Sequence, residues 1–342
     1  MRTPGIALLL AALVAGQPRA QRPWVAEWLA DYAKGLHAQV AERLKTVDSV
    51  RALQSDLDRA APAWLGSREF APELMRRTVA AFALEAAYAR LDQGAGAAQM
   101  IEWGCRQIRR HAKPDDFDRQ WHQTAFALLS GAIDPDALEA HVTHVKFQFP
   151  EEPRLAFERA VAAEQRTAPF FTGGKSTDRA LPTDRDLLNQ RTEAARRYRD
   201  AAKSGDAPTR REALVRLSHV QLALGDAKAA INALDDAASE GRSDQDIAYL
   251  AALFRGQALE QLGRTEPAIQ AYRNALAAVP RAQSASTALA ALLFRNGQRD
   301  DADREIAAML QRGGSPDPWW VYWPADFRRA PALIAALRTD VR

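Results

Sequence analysis

The stretch "YLAALFRGQALEQLGRTEPAIQAYRNALAAVP", Tyr249 to Pro280, has a spacing that returns along the chain. It carries Gly256, Gly263, Ala268, Tyr272, Ala275 and Pro280. Leu289, Ala290, Leu293, Gly297, Ala302, Ile306 and Met309 take the corresponding places 34 residues later. An earlier copy holds Leu214, Leu217, Gly225, Ala230, Leu234 and Ala237, and joins the next through the longer turn "SEGRSDQD". Repetition at this period marks a unit that cannot bury its apolar face alone and must stack on its neighbours. Each position has a physical role. Gly256 and Ala268 let two helices approach closely, and Gly263 ends the first helix in a conformation that side chains avoid. Tyr272 fills the space between units, and Pro280 stops the second helix.

On these residues the unit resembles the tetratricopeptide repeat, a helix–turn–helix of 34 residues. The resemblance covers Arg210 to Gln311, with Ala194, Tyr198 and Ala201 as the second helix of a preceding unit. It implies an all-α solenoid of antiparallel helix pairs that binds a partner and is not catalytic. It also implies that the first helix of each unit lines an inner groove. Carried over by position, that groove shows Arg216, His219, Gln257, Glu260, Thr287 and Arg295. This mixed polar face suits a protein or peptide partner.

The rest of the chain also reads as helical. Alanine, the best helix former, supplies 71 of the 342 residues, and no stretch alternates in the manner of a strand. Trp24 to Val47 reads as one long amphipathic helix, Pro72 to Leu91 and Ala97 to Ala112 as an antiparallel pair, and Glu151 to Glu164 as a further helix. The expected organisation is a leader over 1–20, degenerate helical repeats over 21–165 and a linker over 166–184. Clear repeats follow over 185–314, then a Trp-rich cap and short helix over 315–342.

The leader is read from Arg2, the apolar run "IALLLAALV" and the small residues after it. Cleavage near Gly16 or Ala20 predicts export to a periplasm or beyond; a cytosolic chain with an apolar start is the alternative. Nine to eleven apolar residues are too few to span a bilayer, and no later segment is long enough. The net charge of +3 is small and the basic residues are matched by acids, as in "DRDLLNQRTEAARRYRD", so nucleic acid is not an expected partner.

Chemistry is sparse. "TGGKST" holds Gly174, Lys175 and Ser176, the end of a phosphate-binding loop, but Pro169 stands where that loop needs glycine. A mobile polar loop is expected, and no cofactor. His141 and His144 share a helix face and can hold a metal, with His122 and Glu139 as the nearest further candidates; no ligand motif surrounds them, so a polar helix face and no metal are expected. Cys105, the single cysteine, reads as a buried small side chain. "DPWWVYWPADFRRAP" places Trp319, Trp320, Tyr322 and Trp323 after the last repeat. A stack of helix pairs ends in an apolar face that needs a cap, and these aromatics are expected to fold over it; a binding patch is the alternative. The function that follows is an exported, non-catalytic interaction scaffold. An enzyme or accessory factor acting on cell-envelope or glycan substrates is the alternative, and the aromatic end is a candidate homo-oligomer contact.

Overall fold

The computed structural model describes residues 24–109, 113–168, 183–241, 244–280, 282–311 and 316–341. Every regular element among them is helical. The leader, the "TGGKST" stretch and most of the 166–184 linker lie outside the described residues.

The helices are α1 (Trp24–Ala33), α2 (His37–Lys45), α3 (Val50–Leu65), α4 (Pro72–Ala89), α5 (Ala95–Ile108), α6 (Asp116–Ala132), α7 (Pro135–Gln148) and α8 (Leu155–Gln165). They continue with α9 (Asp184–Ser204), α10 (Ala207–Ala223), α11 (Ala227–Ser239), α12 (Gln245–Gln261), α13 (Thr265–Ala278), α14 (Gln283–Arg295), α15 (Arg299–Gln311) and α16 (Ala330–Thr339). The chain forms two compact units. One is made of residues 1–121 and 332–342, the other of residues 122–331. The 166–184 segment thus joins α8 to α9 inside the second unit.

In the first unit, the expected single helix over Trp24–Val47 is two helices. Gly35 at φ +85° turns the chain between α1 and α2, a conformation that costs glycine nothing. α4 packs on α5, and α1, α2 and α3 pack against α4. α4 is buried around most of its girth because it is built from small residues, "TVAAFALEAA". A polar knot sits inside it. The Tyr32 hydroxyl donates to Glu85 Oε1 at 3.1 Å, and Arg338 donates to both Glu85 oxygens at 2.6 and 3.0 Å.

In the second unit each helix packs on the next from α7 to α15. The three repeats are α10–α11, α12–α13 and α14–α15, and α8–α9 makes a further pair. Their turns hold Gly225, Gly263 and Gly297 at φ +80°, +70° and +79°. At Gly256 any Cβ would run into the Tyr272 ring, so this glycine sets the distance between α12 and α13. Asp206, Asp226 and Asp244 cap α10, α11 and α12 by accepting a backbone N–H three residues on. α14 begins after Ala282, which provides no such cap.

Candidate functional site

The missing cap on α14 is supplied from far along the chain. Asp317, fully buried, accepts the Ser284 N–H at 2.6 Å, placing its charge where a helix start carries partial positive charge. From there residues 317–329 run across the first helices of the repeats in a succession of turns. Trp319 packs edge-on to Phe254 of α12 and to His219 of α10, with ring centroids 5.8 and 5.2 Å apart. Tyr322 stacks on Trp319 at 5.1 Å, and its hydroxyl donates to Glu164 of α8 at 2.5 Å. Gln165 donates to the Trp323 carbonyl at 2.9 Å. The segment therefore touches α8, α10, α12 and α14. The aromatic cover expected over the open end of the stack is seated along the first helices instead. The last pair, α14–α15, leaves Phe294 and Leu310 exposed.

Beneath the segment lies a buried network of charge. A buried ion left unpaired costs several kcal/mol, and here every charge is met. Arg154 donates to Asp326 at 2.6 Å and to Glu158 at 3.4 Å. Arg216 donates to Glu212 at 3.2 Å and to the Tyr322 carbonyl at 2.9 Å, and its guanidinium lies 4.4 Å from the centre of the Tyr322 ring. Arg328 forks onto both Glu212 oxygens at 3.2 and 3.1 Å and reaches Asp244 at 3.2 Å. Glu164 accepts from Tyr198 at 2.6 Å and lies 2.9 Å from His219 Nδ1.

The acids divide by environment. Burial raises the Glu158 carboxyl well above the usual range, and the neighbouring Asp326 charge adds to it. Burial also pushes Glu212 and Glu164 upward, but their partners more than offset it and hold both below the usual range. Those partners are Arg328, Arg154 and Arg216 for Glu212, and His219, Arg216 and Tyr198 for Glu164. Asp326 also accepts from Arg329 at 3.1 Å, so the network continues beyond these three arginines.

The six groove positions named from the sequence separate into two groups. Arg216 is 2% exposed and half-buried His219 is enclosed by Trp319, Tyr322 and Trp323. Both are fastenings for the chain's own segment. Gln257, Glu260, Thr287 and Arg295 lie on α12 and α14 and remain at least partly open to solvent. Glu260 pairs with Arg295 and accepts the Tyr272 hydroxyl at 2.9 Å. The four aromatics separate likewise. Tyr322 is buried, Trp319 is part-buried and Trp323 likewise, and Trp320 stays 62% exposed beside exposed Val321.

His141 and His144 lie on α7 facing His122 of α6. Glu139, the other candidate beside them, is taken up by Arg166 and Arg197 at 2.9 and 2.8 Å. Cys105 is buried in the first unit, and burial pushes its thiol up to about 11, out of the range of a reactive thiolate. The residues that fasten the segment, Arg154, Glu158, Glu164 and Glu212 beneath it and Asp326 and Arg328 within it, carry no sequence motif. Their one legible mark is charge standing among alanines, as in "LAFERAVAAEQ".

Residues 251–280 match the family model of the tetratricopeptide repeat. No curated protein matches the sequence. Among solved structures, the chain is similar to MamA 41-end from Desulfovibrio magneticus RS-1, with 16% identity over 58% of this chain and 96% of that one at a TM-score of 0.41. A second MamA crystal structure is 18% identical over 58% and 94% of the two chains, at a TM-score of 0.38. A signal transduction ATPase with numerous domains from Pyrococcus horikoshii, described with a tetratricopeptide repeat sensor, is 12% identical at a TM-score of 0.41. This chain covers 54% of that protein's length, and the match covers 97% of this chain.

Proposed function

We propose that the chain is a non-catalytic interaction scaffold that holds a protein or peptide partner on the first-helix face of its repeats. One observation carries this reading: that face already holds a polypeptide. Residues 317–329 are gripped there by a helix N-terminus, by side chains reaching their backbone carbonyls and by aromatic slots. These are the contacts by which a helical groove recognises a peptide, and the buried carboxylates of the site are engaged in holding. The resident segment occupies the α8–α10 end. The partner's place is the open part on α12 and α14, at Gln257, Glu260, Thr287 and Arg295, with exposed Trp320 as an aromatic anchor of the type that dominates interface energies. We also propose export, with residues 1–20 as the removed leader.

The test is capture from the envelope fraction with a chain beginning at Gln21, followed by reconstitution with the captured protein purified. The paired bait carries Gln257, Glu260, Thr287 and Arg295 changed to Ala; Arg216 and His219 stay, because their loss would unseat the resident segment. A complex formed by the first bait and lost with the second, both folded by circular dichroism, is the expected result. Equal binding by both baits, or no partner for either, would overturn the reading. N-terminal sequencing of the protein from intact cells checks the leader: a start at Met1 refutes it.

A further inference from the structure

We propose that the cleft between the first two repeats, α10–α11 and α12–α13, binds a small organic carboxylate with an apolar body. The cleft has a volume of about 480 Å³, within the roughly 300–1,000 Å³ of small-molecule sites. Its room comes from alanine. Ala238, Ala248, Ala251, Ala252 and Ala271 offer only methyl groups to it, and Leu234 and Ile247 complete an apolar wall. The polar lining is Arg211, Arg255 and Asn274, and no carboxylate lines the cleft among the described residues.

Arg211 points to the ligand. It is 9% exposed, and a buried guanidinium needs acceptors for its donors. Its Nη2 donates to the Glu240 carbonyl at the end of α11, while its Nε has no partner. The Glu240 carboxylate cannot serve, because Arg210 takes both its oxygens at 3.1 and 2.7 Å. Arg211 adds to the field that holds Glu240 below the usual carboxylate range but makes no ion pair with it. A buried donor left unmade is costly, and an acceptor entering the cleft relieves that cost.

The remaining polar groups agree in sign. Arg255 pairs with exposed Asp235 at 2.7 Å, a surface contact of the kind that contributes little and can yield. Asn274 Oδ1 accepts from Gln270 at 3.0 Å, which leaves the Asn274 amide nitrogen as a donor. Two arginines and an amide with no acid beside them in the lining favour an anionic head over a cation. A carboxylate supplies acceptors only and adds no donor of its own. The alanine, leucine and isoleucine wall then takes an aliphatic or aromatic body, which an inorganic anion lacks. On α12 the cleft uses Ala248, Ala251, Ala252 and Arg255. At 100° per residue these lie on a different face from Phe254 and Gln257, so the site is independent of residues 317–329 and of the scaffold reading.

The full chain is titrated by calorimetry with octanoate and with phenylbutyrate; octanol and octylammonium carry the same kind of body without the negative charge. One equivalent of a carboxylate bound, with Kd below about 1 mM, and much weaker binding of the two controls is the expected result. Arg211→Gln lowers the affinity about 10–100-fold, as expected for the loss of a hydrogen bond to a charged group. Ala251→Leu fills the cleft from a half-buried helix position and blocks binding; leucine is a good helix former, so this variant keeps the fold if Arg211→Gln does not. No saturable binding of either carboxylate, equal binding of octanol or octylammonium, or affinity left unchanged by Ala251→Leu would each overturn the proposal.

Discussion

Tyr322→Phe removes one oxygen atom and little else. The ring keeps its stacking on Trp319 and its place under the Arg216 guanidinium. What disappears is the hydrogen bond to Glu164 Oε1 at 2.5 Å. Hydrogen bonds to charged groups contribute about 1.5–3 kcal/mol. Glu164 Oε1 still faces His219 Nδ1 at 2.9 Å, and Oε2 keeps Tyr198 at 2.6 Å, so the carboxylate is not orphaned. The expected loss is therefore at the lower end, about 1.5–2 kcal/mol. At roughly 2–4 °C per kcal/mol for a body of this size, the melting point falls by about 3–8 °C. Urea unfolding followed by tryptophan fluorescence measures the loss. Tyr272→Phe is the control, because its hydroxyl meets Glu260 in a part-buried setting. The double variant with Glu164→Gln shows whether the energy belongs to this pair. A loss below about 0.5 kcal/mol, within the range of an ordinary surface change, or one no larger than the control's, would refute the idea that Tyr322 fastens the segment to α8.

Asp317→Ala leaves the α14 N-terminus uncapped and is expected to cost about 1 kcal/mol, read by urea unfolding, with faster amide exchange in residues 283–286. Gly256→Ala forces α12 and α13 apart at Tyr272 and is expected to cost about 1–3 kcal/mol; a melting point equal to the parent's would show the repeat is looser than described. Glu158→Gln removes a carboxyl whose charge burial disfavours, and is expected to cost less in urea unfolding than the loss of Glu212. Glu212→Gln leaves Arg154, Arg216 and Arg328 short of their counter-charge and is expected to cost about 3–5 kcal/mol. Linkage gives Glu158 a further signature. Its folded-state carboxyl titrates above the unfolded one, so its contribution is full below pH 4.5 and is lost as pH rises through the folded value. Glu158→Gln should therefore lessen the fall in stability as pH rises above 4.5 and leave the curve below it unchanged.

The repeats were legible because their constraints are local. Gly225, Gly263 and Gly297 mark turns, and Gly256 with Tyr272 marks a close crossing, all within one unit's length. The break at Gly35 is not legible because "AKGLH" continues the amphipathic period, and only the positive φ reveals the turn. The buried network was illegible for the opposite reason. Arg154 meets Asp326 across 172 positions, and nothing in the helical period of α8 distinguishes Glu164 from a solvated acid. Repeat position places Arg216 and His219 on the inner face, and the repeat geometry carries no information about a segment a hundred residues later that covers them. The aromatic density of residues 317–327 announced burial, but its seat depends on an uncapped helix that the sequence does not flag.

The Tyr32–Glu85–Arg338 knot has a consequence for the order in which the protein is made. Glu85 is translated early and its guanidinium partner 253 residues later, with the second unit in between. At roughly 5–20 residues per second on the ribosome, that interval is on the order of ten to fifty seconds. The second unit waits too, because its first helices are closed by residues 317–329. Both bodies thus reach their final burial in the same late moment of synthesis. Until then the nascent chain displays an acidic group met by Tyr32 but not by its arginine, and an uncovered aromatic cleft. Such a chain is a natural client for holding chaperones, and its yield should depend on them more than that of a repeat array which closes unit by unit.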